Sequence, residues 1–151
     1  MNSRGIVFWG IQGPGWALLV YLLIAQAIPA FDYEIGVRMG TQESAATITD
    51  VGVAFWYGFA FGDLATYIPL LAIGLTLYWQ NHRFARPVLA AALGITVYWP
   101  VVCLTAVVSA RGADGWNLPG ETGFWIVLPL VSLWGAVALW RLTVENRKGE
   151  M

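Results

Sequence analysis

The sequence predicts an all-α protein, an integral membrane four-helix bundle with proline-kinked transmembrane helices, forming a single domain over residues 1–151. Three observations lead there. Only 11% of the 151 residues are charged and 58% are hydrophobic, whereas a soluble domain carries roughly a quarter charged residues. Much of the surface must therefore face something other than water, and the mean hydropathy of +0.64 agrees. Four apolar segments each approach the ~20 residues that a helix needs to cross a bilayer. No segment sustains the alternation that a transmembrane barrel needs in its ~10-residue strands, so backbone groups in lipid must be satisfied within helices.

The first predicted helix covers about 14–31, "PGWALLVYLLIAQAIPAF". Arg4, the apolar run and Ala25-Gln26-Ala27 imitate a cleaved signal peptide. Trp9 and Gly13-Pro14-Gly15 interrupt that pattern, and the run is long for a signal core, so the segment reads as a span. The connection 32–50 follows. Its Thr47-x-x-Asp50 spacing suits a cap on the second helix, and "TQESAATIT" suits a short helix on the membrane surface. The second helix covers about 51–79. Residues 80–86 leave room only for an antiparallel turn, and the third helix covers about 87–110. Asp114-Gly115 and Pro119-Gly120 mark a turn before the fourth helix, about 123–142. No internal repeat is evident.

Charge gives the expected orientation. Arg4, Arg83, Arg86, Arg141, Arg147 and Lys148 fall on one side, and only Arg38 and Arg111 on the other. The positive-inside rule then places both termini in the cytoplasm, in a cell (plasma) membrane. The opposite side holds Asp32, Glu34, Glu43, Asp50, Asp114 and Glu121. Asp32 and Glu34 read as a solvated helix end. A net charge of −1 offers no basic surface to nucleic acid. One cysteine and one histidine argue against an internal disulfide, a Cys-based zinc site and a bis-His haem. No metal and no cofactor is expected.

Asp63 is the residue that composition does not explain. It lies twelve residues into the second predicted helix, about 18 Å along its axis at ~1.5 Å per residue. A charged Asp at the centre of a span costs ~2.5–3.5 kcal/mol by insertion scales. It must be protonated or partnered. Thr66 and Tyr67 share its face one turn on, and Pro69 frees the carbonyl of Ala65. Pro29, Pro69, Pro100 and Pro129 put a proline in every predicted helix, and bent helices could leave a cavity. Gln26, Thr96, Tyr98, Trp99, Cys103, Thr105, Ser132 and Trp134 are its candidate lining. The other reading is structural. Gly58-x-x-x-Gly62, with Gly94, would bring helices close, so Gly62→Leu should weaken the fold more than Gly74→Leu. Asp63 would then hold the bundle together through hydrogen bonds.

Phe61-x-Asp63-Leu64, then Pro69, then Arg86-Pro87 opening the next helix, resemble the EXPERA superfamily, which groups sterol isomerases of the emopamil-binding type with the sigma-2 receptor. The resemblance spans some 40 residues. It implies four helices with cytoplasmic termini, an acidic pocket residue at Asp63 and a polar first-helix residue near Gln26. The isomerases use a histidine with carboxylates. Here the one histidine, His82, stands in a turn, so the resemblance implies pocket binding more than isomerisation.

The leading expectation is a polytopic protein that binds a small apolar or amphiphilic molecule in an intrabundle pocket. Asp63 would be its anchor, and Thr66, Tyr67, Gln26, Tyr98 and Trp99 would complete the site. The alternative is an accessory or assembly subunit of a larger membrane complex, or a homodimer, without activity of its own. A further alternative is an EXPERA-like isomerase using Asp63 as general acid or base, although no second catalytic group accompanies it. The expected surroundings are the lipid bilayer, an apolar small molecule and such partner chains.

Overall fold

The computed structural model describes residues 5–118 and 120–148, with side chains as far as Val144. Arg4 and the side chains of Arg147 and Lys148, on which the expected orientation partly rests, lie outside this description. Among the described residues the chain is helical and forms no strand. Helix α1 spans Ile6–Phe31, α2 Tyr33–Arg38, α3 Ala45–Trp79, α4 Ala85–Ala110 and α5 Thr122–Lys148. All but α2 are long and apolar enough to cross a membrane. The core packs α1 on the second half of α3, that half on α4, α4 on α5, and α5 back on α1. Leu22, Leu71, Leu75, Leu89 and Leu93 are fully buried at the centre. On α5, Leu128, Gly135, Ala138 and Leu142 face inward. Ile126, Leu130, Leu133, Val137 and Trp140 form an exposed apolar stripe, the face that a bilayer would cover.

Helix α1 begins at Ile6 and runs through Pro14, ahead of the expected start. Proline removes a helical donor from the carbonyl four residues earlier. For Pro14 that carbonyl is Gly10, which accepts from the Trp134 indole at 2.9 Å. For Pro29 it is Ala25, which accepts from Gln42 Nε2 at 2.7 Å. Donors from elsewhere in the chain thus replace the missing bonds, the condition under which apolar spans tolerate proline.

Two of the prolines share a further feature. Leu23–Ala27 and Asp63–Tyr67 are π-helical turns, each followed by Ile-Pro. Set side by side, "LIAQAIP" (23–29) and "DLATYIP" (63–69) share Ala, Ile and Pro in register. The two turns also pack on each other. A π turn inserts one residue into a helix and commonly sits at functional sites. Here it places Gln26 and Asp63 on facing wide turns.

The 32–50 connection differs from its expected form. Asp32 is exposed at the end of α1, as expected, and is at the same time the N-cap of α2, its Oδ1 accepting from Ile35 N at 3.3 Å. Glu34 in the first turn of α2 and Arg38 in the last both complement the helix dipole. The cap within α3 falls on Thr49 and not on Thr47. Thr49 adopts a positive φ of 67°, and its Oγ1 accepts from Gly52 N at 3.3 Å. The Thr47 carbonyl instead accepts from Asn117 N at 2.8 Å, which ties the 111–121 loop to the start of α3.

The glycines that bring helices together are not the expected ones. A Cβ on Gly58, Gly62 or Gly94 would meet no atom within 4 Å. A Cβ on Gly74 would fall 2.9 Å from Leu89 Cα, on Gly135 2.9 Å from Thr96 Cγ2, and on Gly15 2.7 Å from Leu75 Cδ2. Gly58 and Gly62 face outward, so their four-residue spacing marks a surface of this chain and no contact within it.

Candidate functional site

The C-terminal halves of α1 and α4 and the N-terminal halves of α3 and α5 stand apart around a cavity of about 370 Å³, within the usual ~300–1,000 Å³ of small-molecule sites. Tyr21, Ala25 and Gln26 come from α1, Trp56 from α3, Trp99 and Cys103 from α4, and Phe124, Val127 and Leu128 from α5. Gly40–Glu43 and Gly120 form its mouth. The walls are therefore apolar and aromatic, and the mouth is polar.

The Gln26 side-chain oxygen in this lining is buried and has no hydrogen-bond partner among the described residues. The Trp99 indole nitrogen is buried too; it makes no well-formed hydrogen bond but lies within reach of the Tyr67 hydroxyl. A buried polar group without a partner costs ~1–3 kcal/mol, and most such groups in proteins are satisfied. The contrast with Gln12 is instructive. Gln12 is also buried, yet its Nε2 donates to the Leu75 carbonyl at 2.9 Å and its Oε1 accepts from Trp16 at 2.6 Å. Gln12 is internal glue, while Gln26 offers an acceptor to whatever fills the cavity. The π turn turns Gln26 inward, and Gln42, which caps the Ala25 carbonyl, holds that turn at the mouth.

The mouth carries an unusual acid. Burial pushes the Glu43 carboxyl above its ordinary range. The Tyr33 hydroxyl donates to the Glu43 backbone carbonyl at 3.0 Å, and its phenol is pushed up to about 12 by burial first and then by the nearby Glu43 and Glu34 carboxylates. In the 111–121 loop Arg111 pairs with Glu121, whose carboxyl is lowered chiefly by that hydrogen bond.

The residues expected to form one site are divided among three places. Gln26 and Trp99 line the cavity. Asp63, Thr66 and Tyr98 line a separate groove on the outside of the bundle, with Trp99 as the shared wall. The expectation of Asp63 in the same pocket as Gln26 is therefore corrected. Asp63 lies within electrostatic reach of Tyr21 and Cys103 on the cavity wall, but it does not line the cavity. Tyr67 lines neither space. It is fully buried, and its hydroxyl donates to Thr96 Oγ1 at 2.6 Å, because Thr96 spends its own hydrogen on the Ala92 carbonyl at 2.9 Å.

Of the remaining candidates, Cys103 lines the cavity. Thr105 bonds its own helix at Val101, Ser132 donates to the Val97 carbonyl at 3.2 Å, and Trp134 serves Gly10. Trp56, Phe124, Gln42 and Glu43 were not expected. Trp56 and Phe124 look like interfacial aromatics in sequence, and no pattern brings Gln42 or Glu43 to a pocket mouth. Among the described residues no cluster of three or more His, Cys, Asp or Glu side chains could hold a metal ion. Comparison with protein-family models, curated proteins and solved structures finds no match.

Proposed function

We propose that the protein is a membrane-embedded binding protein for a small amphiphilic molecule, held in the cavity among α1, α3, α4 and α5. The observation that carries this is the buried, unpartnered Gln26 oxygen in the cavity lining on α1, with the Trp99 indole nitrogen, loosely directed at Tyr67, in the same lining on α4. One is an acceptor and the other a donor. A hydroxyl or amide on an otherwise apolar molecule would satisfy both, and Trp56, Phe124 and Leu128 would cover its apolar part. The polar mouth suits a headgroup, and Glu43 favours a cationic one. The resemblance to the EXPERA superfamily supports the same class of ligand.

Cys103 provides the test, because it is the chain's one cysteine and lies on the cavity wall. A small thiol reagent should modify it slowly in protein purified with its lipid extract and several-fold faster after exhaustive detergent exchange. Adding the extract back should restore protection. Equal rates in all three preparations would rule out an occupied cavity.

The proposed setting is a plasma membrane with both termini cytoplasmic. Arg83, Arg86 and Arg141 support it, together with the acids of the two opposite loops. Reporter fusions at Met151 and in the 80–86 turn should both report cytoplasm, and an external signal from either would overturn the orientation.

A further inference from the structure

The groove that holds Asp63 has a different character from the cavity. It arises because α3 changes neighbours at its π turn. After the turn, Ile68–Trp79 packs along α4; before it, Ala45–Gly62 packs on the end of α1. The two helices therefore part at Asp63. The gap is open and is lined by Ala54, Gly58, Gly62 and Thr66 on one side and Ile95, Tyr98 and Trp99 on the other. The first four recur every four residues, so they form one stripe of small side chains along α3. Among the described residues, a Cβ at Gly58 or Gly62 would meet no atom within 4 Å.

Asp63 stands at the apex. It is only 8% exposed, it lines the groove, and its carboxyl makes no hydrogen bond or ion pair among the described residues. It lies near the middle of the Ala45–Trp79 span. A small-residue stripe permits close approach of another helix, and a buried carboxyl at that depth calls for a donor or a cation. The stripe and the acid are separate observations, and both point outward to the same occupant.

We infer that this groove docks one transmembrane helix of another protein, carrying a lysine or arginine at mid-depth that pairs with Asp63. A second copy of this chain does not fit the charge. The four candidate spans carry no basic side chain in their middles, only Arg86 and Arg141 near their ends, so self-association would set two carboxyls against each other. The docking surface is on the far side of Trp99 from the cavity and stands or falls independently of the ligand.

The test uses the full chain, labelled through a terminal tag, in phosphatidylcholine vesicles. The probes are labelled Leu/Ala peptides of about 20 residues, long enough to span, with either lysine or leucine at the centre. Energy transfer should show the lysine peptide associating about tenfold more tightly, a difference worth ~1.4 kcal/mol. Asp63→Asn should abolish that preference. Gly62→Leu should remove association with both peptides while the protein keeps its helix content and melting temperature, because a Cβ there has no described atom within 4 Å and the side chain enters the open groove. Equal binding of the two peptides, or full lysine preference in either variant, would overturn the inference. So would self-association of the chain that Gly62→Leu abolishes and the lysine peptide leaves untouched, since the groove would then belong to a second copy.

Discussion

Gly74→Leu should abolish the folded bundle, whereas Gly62→Leu should leave its stability nearly unchanged. At Gly74 even a methyl group would fall 2.9 Å from the Cα and 3.1 Å from the backbone nitrogen of Leu89. The obstacle is backbone, so no side-chain rotation relieves it. Overpacking a well-filled core costs ~1–3 kcal/mol per substitution and sometimes more, and Gly74→Ala should already fall in that range. Leucine adds three further carbons in the tightest crossing of α3 on α4. That crossing also buries Leu71, Leu75, Leu89 and Leu93, so forcing it apart forfeits most of a marginal stability of ~5–15 kcal/mol. Exposed substitutions without such contacts stay within about ±0.5 kcal/mol, and Gly62 is of that kind. Thermal melting of the two variants in detergent checks the order. A Gly62→Leu protein less stable than Gly74→Leu would mean that the close helix crossing is elsewhere.

Tyr67→Ala should cost about 3–5 kcal/mol, the range for removing a large buried aromatic, while Tyr67→Phe should cost only ~0.5–1.5 kcal/mol, the net worth of one hydrogen bond. Neither should change what the cavity holds, beyond what unfolding removes. The reason is placement. The ring is fully buried between α3 and α4, and the hydroxyl is bonded to Thr96, which remains bonded to Ala92 when the phenol is gone. Chemical unfolding followed by a check of ligand retention in the folded Tyr67→Phe protein separates the roles. If Tyr67→Phe folds with wild-type stability but no longer retains ligand, Tyr67 belongs to the site after all.

These predictions show where the sequence was legible. Four apolar helices are legible in the sequence, because composition alone decides whether a helix is apolar enough for lipid; the expected ends at 31, 79 and 110 match those observed, while α1 begins eight residues before the expected position 14. Asp63 stands out in the sequence as a carboxyl that needs an explanation. Its surroundings were not readable, because a π turn adds one residue to a helix and rotates everything beyond it. Residues placed on one face by α-helical spacing, Asp63 and Tyr67, then fall in different environments: Asp63 in the groove, Tyr67 in the core. The same rotation turns Gln26 toward the cavity. The glycines mislead for a related reason. Gly58-x-x-x-Gly62 has the spacing of a helix contact, but spacing does not say which side of the bundle the stripe faces. Gly74 stands in no such pattern, and only the crossing of α3 and α4 gives it a role. Asp32 was read against the end of α1 because α2 was not foreseen: six residues from Tyr33 to Arg38 give too little periodicity to announce a helix. The prolines carried more information than their positions suggested, since Gly10 and Ala25 each find a side-chain donor from far along the chain.

The cavity's occupancy is the point on which the functional reading turns, and native mass spectrometry of the purified protein measures it directly. The comparison is between the natural chain and the double variant Gln26→Leu, Trp99→Phe, which removes the Gln26 acceptor and the indole donor. The natural chain should carry an adduct of small-molecule mass through mild activation, and the double variant should fly bare. An equally bare natural chain, or the same adduct on both proteins, would contradict a ligand held by Gln26 and Trp99.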